Sequence, residues 1–364
     1  MPDPRKQLQE ELRRGRQAFY GRLAGDAGDA AARLEQAYDR TLTGLKREIA
    51  AFDRWTATDE QTALMYARDD MRARLERELA DLQSALVDVS AQAQRSGVEQ
   101  GVRAGVAALQ RGGVSVTFHL PTVETIRAGI GYVDSAAWRT AVGKLASYHA
   151  EQAADLVLSA IAAGVNPRET AKLLRDYFVT SRRPMVDALR MARTTQLYAA
   201  REGTRQIFER TGVSEWIWSA NLGNPRTCLA CVCLHGTVHP VSEVLNDHHN
   251  GRCAPIPVTP RWAELGLAGG RELAIETGTD WFRRLPAEQQ VGIMGPRYYE
   301  AWTAGAFRLE QVPRLYHNDI FGPMYRKSTL AELLGGDGGS LPLPPAPNNP
   351  PPARSERGYG GPQA

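Results

Sequence analysis

Apolar residues recur at helical spacing over the first third of the chain. Leu34, Tyr38, Leu42, Leu45, Ile49 and Phe52 are separated by 4, 4, 3, 4 and 3 positions, and Met71, Leu75, Leu79, Leu82, Leu86 and Val89 repeat that spacing. Such a period puts six apolar side chains on one helix face, the seam of packed or coiled helices. Between the stripes, Thr58 stands three residues before Gln61, the spacing of a capping box, so the chain is expected to turn there into a second helix. The pattern predicts a long helical hairpin or coiled-coil-like arm over residues 1–112.

Gly112-Gly113 breaks that pattern, and Val114 to Phe118 alternates like a short strand before Pro121. A second helical block is expected from Asp134-Ser135 through Leu145, Ala153, Leu156 and Ile161 to a stop at Gly164. Asn166-Pro167-Arg168-Glu169 is a helix start, with an N-cap Asn, Pro at the first helical position and Glu at the third. That helix, carrying Leu173, Leu174, Tyr177 and Phe178, should end before Ser181, and another should run from Pro184 to Arg210 and stop at Gly212.

Past Gly212 the texture changes. Glu215-Trp216-Ile217-Trp218-Ser219 has strand propensity, and Cys253 to Val258 resembles a short edge strand interrupted by proline. Short helices are expected from Trp262 to Leu334, and residues 335–364, with eight of the 22 prolines, form an extended or disordered tail. The predicted fold class is mainly α with a small β subdomain (α+β). Its stretches are a helical arm (1–112), a helical body (113–213), a Cys/His β subdomain (214–260), a run of short helices (261–334) and the tail (335–364).

Composition narrows the function less than the pattern narrows the fold. The 364 residues are 43% hydrophobic and 23% charged with a net charge of +3, which excludes a strongly basic coat or a polyacidic tail. No apolar run approaches the ~18 residues of a membrane span, and Met1-Pro2-Asp3-Pro4-Arg5-Lys6 leads into charged sequence, so the chain is expected to fold where it is made. Of the 44 basic residues 39 are Arg, a preference that suits phosphate recognition and equally follows from a GC-rich genome. Residues 1–110 hold 17 basic and 18 acidic side chains, a balance that favours docking on protein. Residues 161–210 hold ten basic against five acidic, either a phosphate-contacting face or solvated helix surface.

Cysteine placement is the sharpest chemical signal. Cys228, Cys231, Cys233 and Cys253 share a 26-residue window with His235, His239, His248 and His249, and no other cysteine exists. Dispersed disulfides are excluded and a local metal site is the leading candidate. Cys228-x-x-Cys231 is a knuckle that presents two thiolates to one tetrahedral ion, and Asp247 to Cys253 supplies the second half-site. The expected ligands are Cys228, Cys231, His248 and Cys253, with His249 and Cys233 in reserve. A Cys₃His set fills all four positions and so implies structural zinc; catalysis would need an open position and a base, for which Glu243 and Asp247 are the nearby carboxylates. Reduced core thiols or a local disulfide are the alternatives to metal.

Residues from about 130 to 333 resemble the phage Mu protein F-like family, the minor head or head-morphogenesis proteins of tailed bacteriophages. The matching stretches are Ala163-Gly164-Val165-Asn166-Pro167, Ala192-Arg193-Thr194-Thr195, Trp216-Ile217-Trp218, Asn224-Pro225-Arg226-Thr227-Cys228-Leu229-Ala230-Cys231, Leu234-His235-Gly236 and His248-His249-Asn250-Gly251-Arg252-Cys253. Thr277 to Phe282 and Ile293 to Arg297 continue the likeness. The chain departs from the family pattern at Thr195 (Glu in the family), Asn224 (Asp), His249 (Pro) and Gly251 (the first Cys of Cys-Arg-Cys). The last change leaves Cys253 as the only thiolate of the second half-site, makes His248 more necessary, and gives Cys233 a compensating role to fill.

The resemblance implies a non-enzymatic virion protein of the head interior, assembled in the bacterial cytoplasm. Its implied partners are a portal protein and a major capsid or scaffolding protein, with DNA contacted through Arg168, Arg175, Arg182, Arg183 and Arg193, and no membrane. Two enzymatic alternatives are kept. Asp247-His248-His249-Asn250 is similar to a His-Asn-His site of a metal-dependent nuclease centred on His248. A thiol nucleophile, Cys253 or Cys228 beside a histidine, is the other.

Overall fold

The computed structural model describes residues 4–53, 60–114, 136–163, 165, 167–224, 227–259, 276–318 and 321–335. It is mainly helical with a few short antiparallel strands, the predicted fold class. Helix α1 (Pro4–Asp53) and helix α2 (Glu60–Arg111) each extend roughly 75 Å at 1.5 Å per residue and pack together. Helices α3 (Ala136–Gly143), α4 (Leu145–Ala162) and α5 (Pro167–Arg175) follow, then a π-helical turn (Asp176–Thr180) and the 28-residue α6 (Arg183–Arg210).

The described residues of the two apolar stripes are buried or half-buried, but not only against each other. Leu34, Tyr38, Leu82, Leu86 and Val89 share one core with Trp138, Val142, Leu145, Met185 and Ala188 of α3, α4 and α6. Leu45, Ile49, Leu75 and Leu79 share a second with Ala150, Ala153, Leu174 and Phe178. The arm expected over 1–112 and the body expected over 113–213 therefore have common cores. The Tyr38 hydroxyl donates to the Phe178 carbonyl at 2.6 Å, and Arg182, in a left-handed conformation before α6, lies over the Tyr38 ring and pairs with Glu35 at 2.6 Å.

Helices α2 and α6 meet along small residues. A Cβ on Gly101 would sit 2.0 Å from the Ala200 carbonyl oxygen, and one on Gly97 2.4 Å from that of Gln196, so only glycine permits this approach. The Thr204 hydroxyl lies 2.9 Å from the Gly101 and Ala200 carbonyl oxygens and donates across this contact.

At the C-terminal end of α6, Gly212 takes a positive φ of 77° and turns the chain into a three-stranded antiparallel sheet. Its order is β2 (Val238–Pro240), β1 (Glu215–Ser219), β3 (Ala254–Pro257). Trp216 aligns with His239 on one side and Pro257 on the other. The prolines fall on the edge strands, which need fewer amide donors than the centre. A short helix, α7 (Leu229–Leu234), joins β1 to β2.

Beyond residue 275 come α8 (Gly278–Arg283), α9 (Ala287–Met294) and α10 (Pro296–Thr303), then a hairpin of β4 (Pro313–Asn318) and β5 (Gly322–Lys327), and α11 (Leu330–Leu333). The hairpin corrects the expectation of helices alone. It forms because Tyr325 has a partner outside the segment: its amide donates to the Asn246 carbonyl at 2.7 Å and its ring meets Trp218 edge-on at 5.7 Å. No helix among the described residues is long and apolar enough to cross a membrane. The turn at Thr58, the strand over 115–118, the caps at Gly164 and Asn166, residues 261–275 and the tail from 336 lie outside the described residues.

Candidate metal centre

The Cys-x-x-Cys knuckle is a helix start. Cys228 is the N-cap of α7 and its Sγ accepts from the Cys231 amide at 3.4 Å, which turns both side chains to the same side of the helix. The two sulfurs are 3.4 Å apart. His248 arrives from the loop before β3, its Nε2 3.1 Å from Cys228 Sγ and 3.2 Å from Cys231 Sγ. Zinc bonds of about 2.3 Å to sulfur and 2.0 Å to nitrogen set ligand–ligand edges of roughly 3.5–3.8 Å. The observed triangle is a few tenths of an ångström tighter, so three donors stand ready to hold an ion.

The fourth expected ligand is placed differently. Cys253 groups with Cys231 and Asp247, not with the triangle of Cys228, Cys231 and His248. The reserves are elsewhere: Cys233 is buried among Phe282, Met294 and Phe307, and His249 packs edge-on against Phe321 at 5.5 Å. His239 stacks on Trp216 at 4.5 Å, and His235 Nδ1 accepts from the Ala220 amide at 3.0 Å, so both serve the sheet. The described cluster that could hold a metal ion is Cys228, Cys231, His248, Cys253 and Asp247.

One buried ion pair shapes the second half-site. Arg201, from α6, donates to Asp247 Oδ2 at 2.9 Å and to the carbonyls of Gly251 and Cys253 at 2.9 and 3.0 Å. Asp247 has no exposed side-chain surface; its Oδ2 also accepts from the Cys253 amide at 3.0 Å, and its Oδ1 from the His248 amide at 2.9 Å and Cys231 Sγ at 3.2 Å. The Tyr20 hydroxyl of α1 reaches the Cys253 carbonyl at 3.1 Å. A Cβ at Gly251 would lie 2.1 Å from the Asp247 carboxyl carbon, so the carboxylate fills the space a side chain at 251 would need.

Sequence reasoning weighed Asp247 only as a base and passed over Arg201. The signal was present: Ala199-Ala200-Arg201-Glu202-Gly203 sets an arginine among small residues in mid-helix, where a neighbouring segment approaches closely. A related surprise concerns Arg182, one of the five basic residues expected at DNA, which is committed to Glu35. Arg175, Arg183 and Arg193 are exposed.

Electrostatics follow from this geometry. The hydrogen bond from Cys231 lowers Cys228 to about 5, with His248 assisting and burial opposing. Burial works against a charged His248, but the Cys228 hydrogen bond and the Asp247 charge outweigh it and raise the imidazole to about 9. Cys231 and Cys253 are pushed up, Cys231 first by its hydrogen bond to Cys228 and Cys253 first by burial. Burial opposes ionised Asp247, yet Arg201 and His248 hold it below the usual carboxylate range. His248 Nδ1 lies 2.8 Å from the His249 carbonyl, which fixes the ring with Nε2 toward the thiols.

The donors open onto a cavity of about 440 Å³, whose rim includes Arg193, Arg252, Asn221, Asn224 and Thr227. No protein-family model, curated protein or solved structure matches this chain.

Proposed function

We propose that this chain is a structural and assembly protein, a minor head protein of a tailed bacteriophage or prophage, in which a zinc-bearing subdomain braces a long helical hairpin. The observation that carries the structural role is the saturation of Asp247. It is the only carboxylate in the cluster, and its oxygens are taken by Arg201 and two backbone amides. A hydrolytic metal site needs a free base to activate water, and this cluster supplies none among the described residues. What it does supply is cross-linking: α1, α6, α7 and the loop before β3 all converge on it.

Cys228, Cys231 and His248 are the proposed zinc ligands, with Asp247 and Cys253 as the buried floor beside them. Binding would displace protons from His248 and Cys231, and metal affinity would add to the folding free energy of the subdomain. Support for the phage head comes from the order of motifs between residues 163 and 297. On that reading the chain acts in procapsid assembly inside the head, next to the portal and the major capsid or scaffolding protein. Packaged DNA would meet Arg175, Arg183 and Arg193, which are exposed.

Co-expression with a candidate tailed-phage portal protein tests the reading. Stable co-purification is the expected result. Plasmid cleavage in Mg²⁺ or Mn²⁺ that His248→Ala abolishes would overturn it in favour of the nuclease. Zinc at one equivalent in the wild type and none in Cys228→Ser is expected; no zinc in either would sink the metal centre.

A further inference from the structure

Three protein donors leave a tetrahedral ion with one position unfilled, and the surroundings of that position are specific. Asp247 is saturated on the buried side. Cys228, Cys231 and His248 line a cavity of about 440 Å³; Cys253 also lines it but groups with Cys231 and Asp247 and does not join the triangle. Arg193, from α6, and Arg252, from the loop before β3, reach the same space, and neither has an ion-pair or hydrogen-bond partner among the described residues. Asn221, Asn224 and Thr227 add neutral polar groups, and among the described residues no Asp or Glu lines the cavity. Two guanidinium forks without a partner among the described residues, facing a cavity whose described lining holds no carboxylate, make an anion site.

We propose that this cavity binds a phosphate group, with one oxygen at the open metal position and others held by Arg193 and Arg252. A phosphate monoester offers three terminal oxygens and close to two negative charges, enough to meet the ion and both forks at once; a carboxylate offers two oxygens and one charge. The proposal rests on the metal centre described above. It departs from the closed Cys₃His set that the sequence predicts, because Cys253 is left outside the first coordination sphere.

Cobalt(II) titration of the full chain tests it, since visible and thiolate charge-transfer bands report coordination directly. One cobalt per chain is expected, with bands that shift when inorganic phosphate is added. Arg193→Ala combined with Arg252→Ala should weaken the phosphate response about tenfold or more while leaving cobalt uptake unchanged. Cys253→Ser should keep uptake and band positions. A tighter response to a 5′-phosphorylated dinucleotide than to inorganic phosphate assigns the anion to a nucleic-acid end; equal responses assign it to free phosphate. Normal uptake without a phosphate shift, or bands that change with Cys253→Ser, overturns the proposal alone. Absence of cobalt uptake overturns the metal centre as well.

Discussion

The helical hairpin and the Cys/His subdomain both have apolar cores, but among the described residues only in the subdomain does a fully buried ion pair join the core. In the hairpin, stability is spread over many interchangeable apolar contacts: Leu34, Leu45, Leu75, Leu79, Leu82 and Leu86 are all at most 1% exposed. In the subdomain an apolar core around Trp216, Trp218 and Leu245 is joined by a few buried polar groups that are costly singly and favourable only together, above all Arg201 with Asp247. Each region should therefore break in its own way. Losing one leucine subtracts an increment from the hairpin, whereas losing one partner of the ion pair leaves a charge buried without compensation.

The largest expected effect is therefore Arg201→Met, which should cost about 4 kcal/mol in chemical denaturation. Pairing it with Asp247→Leu should recover a large part of that loss, because the stranded charge goes with its partner. Next is Leu79→Ala, expected to cost about 3 kcal/mol through a cavity between the hairpin and the body, with zinc uptake unchanged. If Leu79→Ala also abolished zinc uptake, the two regions would be one cooperative unit and the contrast would fail.

Acid should act on two buried neutral histidines. Burial lowers His149, on α4 beside Tyr177, and His235, bonded to the Ala220 amide, to about 4 each. Each stays neutral in the fold while the unfolded chain takes up a proton below about 6.5, so stability is intact above that pH and falls as pH drops toward 4. Between pH 7 and pH 5 the loss should be roughly 2 kcal/mol for each, and His149→Gln should flatten that slope in a pH series of denaturation curves. The smallest effect belongs to Arg182→Ala, about 1 kcal/mol or less, since its pairs with Glu35 and Asp39 are partly solvated.

The hairpin was legible in the sequence because its signal is local and periodic. A spacing of 4, 4, 3, 4, 3 needs no knowledge of the partner to show that one face is buried. Its docking was less so: the Gly97, Gly101 and Gly105 repeat marks a close approach, but nothing in it names α6 as the neighbour. The β4–β5 hairpin was missed for the same reason, since Tyr325 is held by Asn246 and Trp218, far away in sequence. At the candidate site Cys228, Cys231 and His248 were legible from spacing and residue type, and the structure brings them together. Cys253 is expected as the thiolate of the second half-site; the structure groups it with Cys231 and Asp247 instead. Arg201 stayed hidden because a buried ion pair between positions 46 residues apart leaves no periodic trace.

The most direct test of the central claim, that a metal braces the Cys/His subdomain, is amide hydrogen exchange on the zinc-loaded full chain with and without a chelator. Faster exchange over residues 228–253 is expected once zinc is removed, with unchanged protection over 34–49 and 71–89. Identical exchange in both states, across a protein shown to have lost its zinc, would contradict the claim.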